Sequence, residues 1–373
     1  MSGDLRYMIA LSLVRGMGVK TLKMLLAHVG SVEALYNESL STLSKIEGVT
    51  EGLLYALGER AKCLDRADRE IDFMTRFDIK ALTYLDDAYP ERLKMCDDAP
   101  NVIYVKGQVD FNRAKMLSIV GTRKSTEEGK MLCERIVGDL ARKCGDVVVV
   151  SGLAYGMDVC AHRSALKYGL PTIGVLAHGL DTLYPAAHRN TAVQMLQKGS
   201  LVTEYVSGVA PESQNFVSRN RIVAGMTQGT LVVESRVRGG SLITARMAKE
   251  YGRSVMAVPG FPGMMGSEGC NGLIKRESAC LVENADDVIR VLGWNVRQEK
   301  RDKESEGKVD LGISSSAEAQ KIYKALLVTN DQTASELSRV CSMDVSKVNV
   351  ELFTMEIEGV VKSLPGGKYH LIS

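Results

Sequence analysis

The stretch from Asn215 to Gly225, Asn-Phe-Val-Ser-Arg-Asn-Arg-Ile-Val-Ala-Gly, holds two guanidinium groups, Arg219 and Arg221, on either side of Asn220, with the ring of Phe216 just ahead. Arginine offers a planar fork of donors that matches phosphate oxygens, and a phenyl face takes an unpaired base by stacking. Three turns repeat the theme. Gly121-Thr122-Arg123-Lys124-Ser125 permits close backbone approach and adds hydroxyls and another fork. Ser151-Gly152-Leu153-Ala154-Tyr155-Gly156 and Gly239-Gly240-Ser241 each lead into a helical pattern, and the first amides of a helix lack intrahelical partners and attract anions. Each turn alone is an ordinary cap; together they describe an anion site. The competing reading packs Phe216 in the core and pairs the two arginines with Glu204 or Glu234. Arg236 and Arg238, just before the Gly-Gly-Ser turn, read as solvated loop charges.

Other chemistries lack their residues. No Gly-x-Gly-x-x-Gly follows the first strand pattern and no Walker lysine motif occurs, which disfavours a dinucleotide or P-loop nucleotide. No Gly-x-Ser-x-Gly elbow is present, and Asp158 and His162, four apart, read as a local contact rather than a catalytic pair. The eight cysteines form no Cys-x-x-Cys and have no histidine at zinc spacing, so they read as reduced, mostly buried small side chains with no metal to hold. No cofactor is expected.

The elements that would position the anion site follow from periodicity. Short β-branched runs at Met116–Val120, Val147–Val150, Thr172–Val175, Leu201–Thr203, Thr230–Val233 and Val255–Val258 alternate with amphipathic segments such as Leu132, Ile136 and Leu140. Such alternation predicts an α/β fold, a Rossmann-like, doubly wound, mostly parallel sheet, with ligands beyond the carboxyl ends of its strands. At 373 residues the chain exceeds one compact core. Residues 1–75 read as helices, with glycine turns at Arg15-Gly16-Met17-Gly18 and Ile46-Glu47-Gly48-Val49 in a helix-hairpin-helix-like arrangement. Residues 76–295 hold the sheet. Residues 296–316 read as a charged linker, eight of the ten residues Glu299 to Lys308 being charged. Residues 317–373 read as three short helices and a hairpin, a winged-helix pattern.

Charge is unevenly spread. Lys115 to Gly260 hold 18 Lys and Arg against 11 Asp and Glu, while the rest of the chain is mildly acidic, so an anionic partner suits the centre. No apolar run approaches the roughly 20 residues of a membrane helix, and the start MSGDLRYMIALSLVRG has no signal pattern; a cytoplasmic protein without a membrane partner is expected.

Six stretches fall in an order that resembles a known family: Gly121-Thr122-Arg123, SGLAYGMDVCAH from Ser151 to His162, GLDTLYP from Gly179 to Pro185, TEY from Thr203 to Tyr205, FVSRNRIVAG from Phe216 to Gly225, and GGSLITARMAKEYGRSVMAVPG from Gly239 to Gly260. They look like DNA-processing protein A, the DprA/Smf family, over about Ala99 to Val282. The resemblance implies a non-enzymatic protein that binds single-stranded DNA, brings the RecA recombinase to it against single-strand-binding protein, as in natural transformation, and forms a homodimer near Cys270 to Leu281. It implies a phosphate-binding pocket with Arg123 and a DNA path along Phe216, Arg219 and Arg221, to which the turns read above as an anion site add Gly121, Thr122, Ser151, Gly152, Gly240 and Ser241, and the helix stretch adds Asn220. It also implies a sterile-alpha-motif-like or helix-hairpin-helix N-terminus. Where members often carry a lysine just before the phenylalanine, this chain has Ser213-Gln214-Asn215. A phosphoribohydrolase of the lysine-decarboxylase-like group, on a similar sheet, is the alternative; its Pro-Gly-Gly-x-Gly-Thr turn corresponds here to Arg238-Gly239-Gly240-Ser241-Leu242, without the catalytic acid. Replacing Arg219 and Arg221 together is expected to remove most single-strand affinity without unfolding the chain.

Overall fold

The computed structural model describes residues 3–113, 115–296 and 316–371, in two compact units, Met1–Gln298 and Glu299–Ser373. All but the ends of the expected linker, residues 297–315, lies outside the described residues.

A nine-stranded sheet runs through the first unit. Its strands are β1 (Lys80–Thr83), β2 (Val102–Gly107), β3 (Met116–Val120), β4 (Val148–Ser151), β5 (Thr172–Val175), β6 (Ser200–Thr203), β7 (Gly229–Val232), β8 (Ser254–Ala257) and β9 (Cys280–Leu281), in the spatial order β1-β2-β6-β5-β4-β3-β7-β8-β9. From β6 to β9 every neighbouring pair is parallel. The six strands expected from β-branched runs are all present within a residue. Their continuous apolar character follows from burial on both faces: Met116, Val120, Val148 and Val150 pack on one side, and Leu117, Ile119, Val147 and Val149 on the other. Helices Ser213–Gly225, Gly240–Glu250 and Glu268–Lys275 cover the first face, and helices Glu127–Lys143, Met157–Lys167 and Ala285–Leu292 the second.

Three strands go beyond the six expected, β9 at one edge of the sheet and β1 and β2 at the other. These two pair antiparallel with each other, and β2 pairs antiparallel with β6, lengthening the sheet beyond its parallel body. The N-terminal helices, among them Gly3–Ser12, Val19–Val29 and Arg60–Phe77, have a core of their own, but that core includes Val102 and Tyr104 of β2 and Val206 beyond β6. A buried polar contact fastens the join: the Glu70 carboxylate accepts from the Ser207 amide (2.9 Å) and hydroxyl (2.6 Å), and Arg66 pairs with Glu70 at 3.0 Å. Gly16 and Gly48 turn the chain at φ of 89° and 90°, conformations that side chains other than glycine's rarely adopt.

The second unit holds helices Ala317–Val328, Ala334–Cys341 and Val345–Ile357 and a sheet of β10 (Gln332–Thr333), β11 (Val361–Leu364) and β12 (Lys368–Leu371). The helices and the β11–β12 hairpin fall where apolar spacing and the Pro365-Gly366-Gly367 turn put them; the two-residue β10 was not expected. No described helix is long and apolar enough to cross a membrane.

Candidate nucleic-acid interface

β3 and β7 lie side by side, yet the chain leaves them toward opposite faces, into helix Glu127–Lys143 and into helix Gly240–Glu250. Between strands that part in this way a crevice opens at their carboxyl ends. Gly121 follows β3 directly. A Cβ there would lie 2.7 Å from Met157 Cβ, and one at Gly156 would lie 2.3 Å from the Thr122 carbonyl, so neither position has room for a larger residue. The Thr122 amide donates to the Glu234 carbonyl (2.8 Å), and the Met157 amide donates to the Thr122 carbonyl (3.1 Å). The loop carrying Arg123 is thus pinned to both neighbouring strand ends.

Nine of the eleven residues expected to touch DNA line one cleft of about 570 Å³: Gly121, Thr122, Arg123, Gly152, Phe216, Arg219, Asn220, Gly240 and Ser241. Exposed Arg123 stacks its guanidinium over the Phe216 ring, 5.5 Å from the centroid, and the Tyr184 ring meets Phe216 edge-on at 5.7 Å. No side chain caps helix Gly240–Glu250 at the cleft, and the Ser241 hydroxyl is committed to Ser235 at 2.9 Å. Ser151 and Arg221 are not in the lining. Ser151 is fully buried and donates to the Ile119 carbonyl at 2.6 Å, tying β4 to β3.

The two arginines of the Asn215–Gly225 stretch part company because both sit on helix Ser213–Gly225. A helix turns about 100° per residue, so positions two apart point to nearly opposite sides. Arg221 pairs with Glu204, the two side chains only 16% and 17% exposed. This is the salt bridge that the competing reading named. Glu234 does not pair with either arginine; its carboxylate accepts from the Thr126 amide (2.9 Å) and hydroxyl (2.6 Å) at the start of helix Glu127–Lys143.

Arg219 reaches the cleft floor but is 3% exposed. Its Nη1 donates to the Gly152 carbonyl (2.6 Å) and to the Val175 carbonyl. A Cβ on Gly152 would lie 2.4 Å from Nη1 and Nη2, so the glycine exists to seat the guanidinium. Burial lowers the proton affinity of Arg219 and raises the pKa of the buried Asp158 carboxyl, and each charge offsets part of the other's shift. Alanine at both arginines therefore removes internal contacts, and the expectation that this leaves the fold intact gives way to the opposite one.

His162 is fully buried. Its Nδ1 shares a hydrogen bond with the Thr172 hydroxyl at 2.7 Å, in place of the local contact expected with Asp158, and burial pushes its pKa down to about 3. The residues missed in the sequence are Asp158 and Tyr184 in the cleft wall, and Arg236 and Arg238, which line the cleft and are exposed. The signal for the last two was present, since they follow β7 at the same strand-end position that singled out Arg123.

Residues 80–293 match the family model described as DNA recombination-mediator protein A. The DNA processing protein DprA of Streptococcus pneumoniae is 38% identical over 211 residues, which span 56% of this chain and 73% of the relative. A solved structure of DprA from the same species superimposes with a TM-score of 0.66 at 32% identity, covering 76% of this chain and 97% of that one. A solved structure of DNA processing protein A from Helicobacter pylori, described for its single-stranded DNA binding mode, gives a TM-score of 0.52 at 26% identity over 58% of this chain and 96% of its own.

Proposed function

The chain belongs to the DNA recombination-mediator protein A family, and from that premise we propose that it binds single-stranded DNA in the cleft between β3 and β7, without base-sequence preference, and delivers the RecA recombinase to it. The observation that carries the first half is the composition of that cleft: exposed Arg123, Arg236 and Arg238 and an uncapped helix start surround the Phe216 and Tyr184 rings. Guanidinium forks and amides answer phosphates, and an aromatic face answers any base. Duplex DNA keeps its bases stacked inside and offers nothing to Phe216. The similarity to a relative described as binding single strands supports the same reading; the recombinase half rests on the family's description as a recombination mediator. The protein acts by holding DNA, not by a covalent step, and a homodimer through the segment from Cys270 to Leu281 completes the proposal.

Fluorescence anisotropy with oligo-dT tests the cleft. Phe216→Ala is expected to weaken binding by about 1–3 kcal/mol, the value of one base–aromatic stack. Because Phe216 is half-buried and touches Arg123 and Tyr184 from the cleft side, the thermal midpoint should move little. Unchanged affinity would remove the ring from the DNA path. Release of free base from nucleoside monophosphates would instead favour the phosphoribohydrolase alternative.

The second unit is assigned to protein contact. Residues Ala317 to Ser373 carry six Lys and Arg against seven Asp and Glu, a poor balance for gripping a duplex. Helix Val345–Ile357, the recognition helix of a winged-helix reading, exposes Val350, Phe353 and Ile357, where a DNA reader would present polar side chains. A chain ending at Lys308 is expected to keep most single-strand binding in gel-shift titrations. Loss of that binding on truncation, or sub-micromolar duplex binding by the full chain that disappears with residues 309–373, would place DNA on the second unit.

A further inference from the structure

The turn that follows β4 is locked against the turn that follows β3. Gly156 adopts a φ of 78°, and a Cβ there would lie 2.6 Å from the Arg123 carbonyl oxygen, so Tyr155 and Arg123 stand on touching stretches of backbone. Arg123 thus lies on a ridge. On one side is the β3–β7 cleft with Phe216; on the other a second cleft of about 580 Å³ opens between helices Glu127–Lys143 and Met157–Lys167, lined by both Arg123 and Tyr155. Tyr155 is 48% exposed, and its ring is braced against the buried His188 ring, 5.0 Å away at 70°. His188 is itself fixed, its Nδ1 hydrogen-bonded to the Leu153 carbonyl at 2.8 Å. The wall of this second cleft is basic. Lys124, Lys130, Arg163 and Lys167 join Arg123 there, against the carboxylates of Glu127 and Glu134. Both carboxylates are engaged locally, Glu127 with Lys130 at 2.6 Å and Glu134 with Lys167. The excess of positive charge therefore falls to Arg123, Lys124 and Arg163, all exposed, and Arg163 is held through Nε by the Thr191 hydroxyl at 3.2 Å.

We propose that this second cleft continues the single-strand path. A strand held at Phe216 passes over Arg123, which grips the phosphate at the crossing, and lays a further base on Tyr155 with its phosphates on Lys124 and Arg163. The proposal rests on the reading of the β3–β7 cleft as a single-strand site and extends it. The pairing of ring and cations selects the ligand class. A free phosphate would use the cations and leave the ring idle, and an apolar ligand would use the ring and leave the cations idle. Each nucleotide of a single strand presents one charge and one flat face, whatever its base, and so uses both. With Arg123 shared, two clefts that each hold an aromatic platform form one groove, and the length of strand the protein covers exceeds what the Phe216 cleft holds alone.

Two lengths of oligo-dT separate the clefts, about 4 and about 16 nucleotides, the limits of what one single-strand groove occupies. Tyr155→Ala is expected to weaken binding of the longer oligomer roughly ten-fold, the effect of one base–aromatic stack, and to leave the shorter one unchanged; Phe216→Ala should weaken both. Lys124→Ala together with Arg163→Ala should reduce the slope of log affinity against log salt by about 1.4 on the longer oligomer only, at about 0.7 per phosphate contact. The unsubstituted full chain gives a reading that does not depend on variants folding. Long oligomers carrying 5-iodouracil at one position at a time, irradiated on the protein and mapped by mass spectrometry, should crosslink to Phe216 from one position and to Tyr155 from another. Crosslinks at Phe216 with none at Tyr155, or a Tyr155→Ala variant that binds the longer oligomer at full strength, overturn the second cleft and leave the first in place. Crosslinks at neither ring, with Phe216→Ala also at full strength, overturn the β3–β7 reading and the extension with it.

Discussion

Arg219→Ala destabilises the first unit by about 3–5 kcal/mol, the cost of removing one partner from a buried charged contact. The substitution leaves the Gly152 and Val175 carbonyls without their donor and the buried Asp158 carboxyl without the positive charge that offsets part of its burial. It also opens a space beneath Gly152 that had been shaped around the guanidinium. The one tryptophan of the chain, Trp294, is buried and bonded through Nε1 to Gln228 at 2.8 Å within this unit, so its fluorescence in a urea titration follows the unit without interference from the second. A second substitution separates the electrostatic part of the loss. Asp158→Asn in the Arg219→Ala background should recover part of the lost stability, because a buried amide left unpaired costs less than a buried carboxylate. An unshifted urea midpoint for Arg219→Ala would show that the guanidinium is not a structural member of the strand ends.

Arg123, Arg236 and Arg238 are expected to behave in the opposite way. All three are exposed, and Arg123 stacks across the cleft on Phe216. Replacing all three by alanine leaves the Trp294 transition in place while single-strand affinity falls by roughly a hundredfold, about 1 kcal/mol for each exposed charge-assisted phosphate contact. Salt dependence gives a reading independent of affinity. With about 0.7 counterions released per phosphate neutralised on a single strand, the slope of log affinity against log salt should shrink by about 2. A triple variant with full affinity and an unchanged slope would move the DNA away from the β3–β7 crevice.

The contrast between these two sets of arginines shows what was legible and why. The parallel body of the sheet was readable because strands buried on both faces must be apolar without interruption, as Val147 to Val150 are. The crevice was readable because glycine and hydroxyl residues collect where such strands end. The division of labour between Arg219 and Arg221 was not, since it depends on their lying two apart on a helix, whereas a loop would let both point one way. Asp158 was hidden for a related reason: its meaning comes from Arg219, sixty residues later, crossing under Gly152. β1 and β2 escaped because Lys80-Ala-Leu-Thr83 is short and half-exposed, and the apolar run at β2 earns its strand only by pairing with β6.

That pairing bears on how the protein is made. β2 joins β6 in a register that sets Gly107 against Ser200, so roughly ninety residues must be synthesised after β2 before its second neighbour exists, several seconds at ordinary elongation rates. During that interval Val102 to Val105, all buried in the finished sheet, form one open edge of a two-stranded hairpin, and an unpaired apolar edge recruits other strands. The N-terminal helices cover one face of β2 through Val102 and Tyr104 but leave its hydrogen-bonding edge free. A nascent chain released short of Thr203 is therefore the form most exposed to strand-to-strand aggregation and most in need of a chaperone, and the crevice that depends on β3 through β7 can be assembled only after that hazard has passed.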